Sequence, residues 1–195
     1  MSTTEARLVA AGSVIAALGA LMYISVGVLQ TGTSRENFAS PINIAGSISA
    51  TIGIAIILQA LAGQRALGPS WAVTTASAGL LFTAAIAWFN GTGIVALANG
   101  TTTDAQFDDI GTSAWIVIMA APKMILCLVG FLALAVTGWR NRSLSRAASI
   151  LLALGALASL LPPFPPGVLL VSIGLILVAR DLRAQRTAAV QPQPR

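Results

Sequence analysis

The chain has 195 residues, is 56% hydrophobic and only 9% charged, and has a mean hydropathy of +0.85. Soluble domains carry about 25% charged residues, so this composition cannot cover a water-facing surface and excludes a soluble globular fold. With no histidine and one cysteine, Cys127, it also excludes an intrachain disulfide, histidine-ligated haem, most catalytic zinc sites and histidine-based acid–base chemistry.

Several apolar runs approach the ~20 residues a helix needs to cross a bilayer. The polar start MSTTEAR gives way to a first run over 8–30. Its small residues AALGA at 16–20 resemble a cleavage site, but the run is longer than the ~7–15 residues of a signal peptide's apolar region, so an uncleaved span is expected. After the polar link TGTSRENFAS, Pro41 opens a second run over 41–63. Proline suits a first helical turn, because its missing N–H has no intrahelical partner there. A short link carrying Arg65 leads to a third run over 71–88, and a longer one to a fourth over 115–139. All four tryptophans, Trp71, Trp88, Trp115 and Trp139, then fall at span ends, where amphipathic rings sit at headgroup level.

Two shorter runs follow, expected as spans over 146–161 and 164–180 and separated by PPFPP at 162–166. Proline cannot continue a helix cleanly, so a tight turn is expected, with a shallow re-entrant hairpin as the alternative. Residues 1–183 read as one transmembrane domain and 184–195, polar and proline-containing, as a disordered cytoplasmic tail. The fold class is therefore all-α: a polytopic helical bundle of six spans.

Charge sets the orientation. With six spans, Arg7, Arg65, Arg140, Arg142, Arg146, Arg180, Arg183, Arg186 and Arg195 share one side, nine of the eleven basic residues. The other side has Arg35 and an acidic link. This is a positive-inside pattern and puts both termini in the cytoplasm. The +5 net charge is accounted for by topology and anionic lipid, and nucleic acid is not expected as a partner. Ten arginines against one lysine, with abundant alanine, point to a GC-rich bacterial genome and so to a bacterial cytoplasmic membrane.

AGSVIAALGAL at 11–21 matches AASILLALGAL at 147–157 at seven of eleven positions, and TIGI at 51–54 echoes SIGL at 172–175. Two parallel repeats flanking a middle hairpin would give this pattern; so would composition alone.

Lys123 is the one charge inside the fourth run. It lies nine residues beyond Ala114, ~14 Å into a ~30 Å core, where an ionisable group needs a compensating contact. Ala120, Cys127, Gly130, Leu134 and Thr137 share its helical stripe and are expected to face the bundle; Ile118, Ile125, Leu128, Leu132 and Val136 are expected to face lipid. Pro122 cannot donate to the carbonyl of Ile118, so the ammonium is expected to lean outward to that carbonyl or the acidic link. Lys123 and Pro122 are the candidate ligand-binding residues, for an anion or a proton. A lysine satisfied by carbonyls is the plainer alternative.

Asp104, Asp108 and Asp109 fall at helical spacing in the link, with Thr103 or Asp104 placed to cap a short helix. They are candidates for an external contact or a cation loop, although no calcium-loop pattern is present and no metal site is assigned. NGT at 90–92 and 99–101 fits a glycosylation acceptor, without meaning in a bacterium. Small residues line spans one and two, at Gly12, Gly19 and Gly27 and at Gly46, Ser49, Ala50 and Gly53, and are expected to pack helices within the chain or between copies. No nucleophile–base pair or phosphate loop appears. The expectation is a non-catalytic structural or accessory membrane protein without a cofactor, partnered by lipid and by another membrane protein or a second copy. A small permease or lipid-handling protein using Lys123 is the rival.

Overall fold

The computed structural model describes residues 2–29, 33–61, 67–100, 103–111, 114–161 and 165–190. Arg65, part of the acidic link, residues 162–164 of PPFPP and residues 191–195 lie outside them, as do the side chains of Asp108 and Trp115. The described residues are helical, with no strand among them. Helix α1 is Thr3–Val28, α2 Ser34–Phe38, α3 Pro41–Leu61, α4 Ser70–Phe89, α5 Val95–Ala98, α6 Asp104–Gly111, α7 Ala114–Arg140, α8 Arg146–Ala158 and α9 Pro165–Val190. Four helices are long and apolar enough to cross a membrane: Thr3–Val28, Pro41–Leu61, Ser70–Ala98 and Ile118–Arg140.

The third of these corrects the boundary read at residue 88. Asn90, Gly91 and Gly93 look like a loop, yet the chain stays helical through a π-turn, Asn90–Ile94, that joins α4 to α5. The widened turn keeps its own bonds, with the Thr92 hydroxyl donating to the Trp88 carbonyl at 2.7 Å. Gly91 packs closely on α3: a Cβ there would sit 3.0 Å from Cβ of Ser47. Trp88 is thus ten residues short of its helix end, not at the end. The last helix also differs, continuing to Val190 past the boundary expected at 183.

The six longest helices form a closed ring in the order α1, α3, α4, α7, α8, α9, with α9 returning to α1. Three antiparallel hairpins make up the ring, and one contact pattern recurs in each. A Cβ on Gly19 would lie 2.5 Å from the amide nitrogen of Ala50; on Gly79, 2.7 Å from that of Cys127; on Gly155, 2.8 Å from that of Val171. The reciprocal glycines Gly53, Gly130 and Gly174 press on Ala16, Ala76 and Leu152, at 2.4, 2.3 and 3.2 Å from their amide nitrogens. On every one of these helices the glycine follows, by three residues, the residue that the partner's glycine touches. The two backbones can then meet, the usual device where lipid supplies no hydrophobic drive between helices. The first and last hairpins are those with matching sequence. The middle one shares their packing with less of their sequence.

Small-residue faces of spans one and two are thereby used inside the chain, Gly12 and Gly19 against Gly53 and Gly46. Gly27 plays no such part, since a Cβ added there would meet nothing within 4 Å. Phe131, Leu61, Leu152, Leu175 and Val178 fill the ring's interior, leaving a void of only about 10 Å³ among Leu61, Leu67, Val73, Leu134, Leu144, Leu152, Leu175 and Val178. The outer surface is apolar as well: Leu18, Ile52, Leu81, Ile118, Ile125 and Leu157 are each at least half exposed, which suits solvation by lipid.

Candidate functional site

Lys123 is 3% exposed and faces the bundle, as do Cys127, Gly130 and Leu134 below it. Ile118, Ile125, Leu132 and Val136 face outward; Leu128, expected with them, is half-buried against the core. The reach of the lysine differs from the expectation. Its ammonium donates to the carbonyl of Ser159 at 2.9 Å, not to Ile118 or the acidic helix. Ser159 is the residue that ends α8, and its own hydroxyl donates back to the Ala156 carbonyl at 2.6 Å.

The sequence shows that the α8 run is short, but not that its end falls beside Lys123. Thirteen residues rise ~20 Å, less than the ~30 Å of a bilayer core. The last carbonyls of a helix have no partner within it and carry partial negative charge. A helix ending early would leave them in an apolar place, and Lys123 supplies both the donor and the positive charge. The other end of α8 is answered in the same way. The Asp181 carboxylate on α9 accepts from the Ser145 amide at 2.7 Å, and the Ser145 hydroxyl accepts from the Ala148 amide at 3.3 Å. An acid at the N-terminus and a base at the C-terminus are the pairing the helix dipole favours.

Little else is polar around the lysine. A cavity of about 10 Å³ is lined by Leu80, Thr83, Lys123, Cys127, Phe131, Ser159, Gly167, Val168 and Val171, space for about one water. The Thr83 hydroxyl donates to the Gly79 carbonyl at 2.8 Å and lies 3.7 Å from Sγ of Cys127. By packing position, Lys123 stands where the other hairpins have Gly46 and Gly167, which press on Tyr23 and Ser159. Pro122 is inside α7 and is not among the residues lining this cavity.

The three aspartates are on one helix, α6, as their spacing implies. Thr103 caps it: its hydroxyl accepts from the Gln106 amide at 3.3 Å, and the Gln106 side chain accepts from the Thr103 amide at 2.9 Å. The helix packs through Phe107 on Ile94, Ala98, Phe38 and Phe89, making a small cap of α2, α5 and α6 over one end of the ring. Arg35 ties it together. Its guanidinium donates to the carbonyls of Ala98 and Gly100, at the end of α5, and stands 3.8 Å from the Asp104 carboxylate. Glu36 is engaged with the Thr33 amide at 3.0 Å. Among the described residues, no three acids, cysteines or histidines gather in a metal-binding group.

Compared with known proteins, the chain matches no family model, no curated protein and no solved structure. Sequence reasoning missed Ser159, Asp181 and Arg35. Asp181 carried one signal, being the only acid in a basic flank; a serine offering its backbone carbonyl carries none.

Proposed function

We propose that this is a non-catalytic structural or accessory protein of the bacterial cytoplasmic membrane, with both termini in the cytoplasm. In the proposed arrangement α1, α3, α4–α5 and α7 cross the membrane. The hairpin of α8 and α9 enters from the side of Arg140 and returns to it. Six passes are the same arrangement with that hairpin reaching the far surface. In either form the cap of α2, α5 and α6 is external and the arginine-rich ends are internal.

The observation that carries the reading is the filled interior around Lys123. Its charge is spent on the end of α8, and the adjoining cavity of about 10 Å³ has no room for a solute. Partners are then lipid and another membrane protein, met through surfaces other than the small-residue faces consumed inside the ring. Nucleic acid is not among them.

The rival, a permease with an anion or proton site at Lys123, makes the opposite forecast. Purified protein in liposomes is expected to pass protons and phosphate no faster than protein-free vesicles, and Lys123→Met is expected to leave that unchanged. The variant should instead lose about 1–3 kcal/mol of stability in detergent, the cost of a buried carbonyl left without its donor. A flux that Lys123→Met abolishes would establish the permease.

A further inference from the structure

The ring's outer surface has a groove between α7 and α8, at the end that carries Arg140, Arg142 and Arg146. Its volume is about 240 Å³, and it is lined by Ala135, Val136, Trp139, Arg140, Ser149, Ile150 and Ala153. We propose that this groove binds one anionic phospholipid, with an acyl chain between the helices and the phosphate at the arginines.

Two observations converge on that occupant. The walls are apolar and lipid-facing, with Val136 and Ile150 each 47% exposed, so the chain-binding part suits hydrocarbon and not a free anion. The mouth is basic. Arg140 lines it, and Arg146 lies one helical turn from Ile150 and two from Ala153, on the same face of α8. The guanidinium groups of Arg140, Arg142 and Arg146 make no ion pair or hydrogen bond with a described residue, and all three residues are exposed. Ser149, 2% exposed, lies between walls and mouth, its hydroxyl buried away from the groove and without a hydrogen-bond partner, as are those of Ser13 and Ser47. Basic pockets between membrane helices recognise anionic headgroups in this way.

The proposal rests on the membrane placement and not on the accessory role. Trp139, 49% exposed and part of the lining, is the reporter. In a variant with Trp71→Phe, Trp88→Phe and Trp115→Phe, the protein is reconstituted with trace brominated phosphatidylglycerol or trace brominated phosphatidylcholine in otherwise identical vesicles. Quenching of Trp139 is expected to be at least twofold stronger with the phosphatidylglycerol. Arg140→Gln with Arg146→Gln should bring the two lipids level. Ala153→Leu, a non-fluorescent filler of the groove, should do so with every arginine in place. Arg180→Gln with Arg183→Gln, at the same end but on α9, should keep the preference. Equal quenching by both lipids in the parent protein overturns the site. So does a preference that survives the filled groove, or one lost equally in the α9 variant, since either would mean a diffuse basic belt. No quenching by either lipid would overturn the membrane placement as well.

Discussion

Glycine does different work at different positions here, and distance decides which. Gly53 and Gly27 are both helical glycines in apolar runs. A Cβ on Gly53 would lie 2.4 Å from the Ala16 nitrogen and 2.5 Å from the Gly12 carbonyl oxygen, atoms of a backbone that cannot turn aside. Gly53→Ala must therefore push α1 from α3, and overpacking of this kind costs about 1–3 kcal/mol. Gly27 meets nothing, so Gly27→Ala is expected to be neutral or to gain up to about 1 kcal/mol from helix propensity. Thermal unfolding of the two variants in the same detergent checks the contrast. Lys123 shows the same rule for charge: its intramembrane position was legible in the sequence, while its partner depended on where another helix stops.

At the level of elements, short helices depend on side chains from elsewhere. Helix α8 is held at its two ends by Asp181 and Lys123. Helix α5, four residues long, has Arg35 on its last carbonyls. The Arg35–Asp104 ion pair, at 3.8 Å with Arg35 half-buried and Asp104 exposed, contributes little; hydrogen bonds from a charged donor are worth about 1.5–3 kcal/mol. Arg35→Ala is thus expected to loosen the cap locally, and amides over 95–107 should exchange with deuterium roughly tenfold faster or more. Those of α1 and α3 should be unchanged. Uniform protection across the cap in the variant would show that Phe107 and Phe38 hold it without the arginine. The aspartates of α6 were legible as a capped helix because a capping pattern is local. The approach of Arg35 to Asp104 was not, because it depends on α2 lying beside α6.

At the scale of the molecule, three hairpins of unequal sequence close into one ring. The likeness of 11–21 to 147–157 marks two of them, and the glycine contacts bring in the third, where Lys123 replaces a glycine. The proposed orientation rests on the arginines, and it can be measured. In a Cys127→Ala background, a cysteine at position 106, on the exposed face of α6, is expected to react with an impermeant maleimide from outside intact cells. A cysteine at position 143 should react only after the inner face is opened. The reverse pattern would invert the proposed topology.

Apolar runs, the tryptophans, the single intramembrane lysine and the arginine asymmetry are properties of residues along the chain, and the sequence alone determined from them an all-helical, membrane-embedded protein. Helix length and contact were settled only by the tertiary structure. The third run read as ending at residue 88, whereas the helix continues through a π-turn to Ala98, with Gly91 packed closely on α3. Lys123 read as reaching outward, and turned to Ser159 because α8 ends beside it. A hydrogen bond is decided by which unpaired group lies within about 3 Å, and no pattern in one stretch specifies what another stretch leaves unpaired.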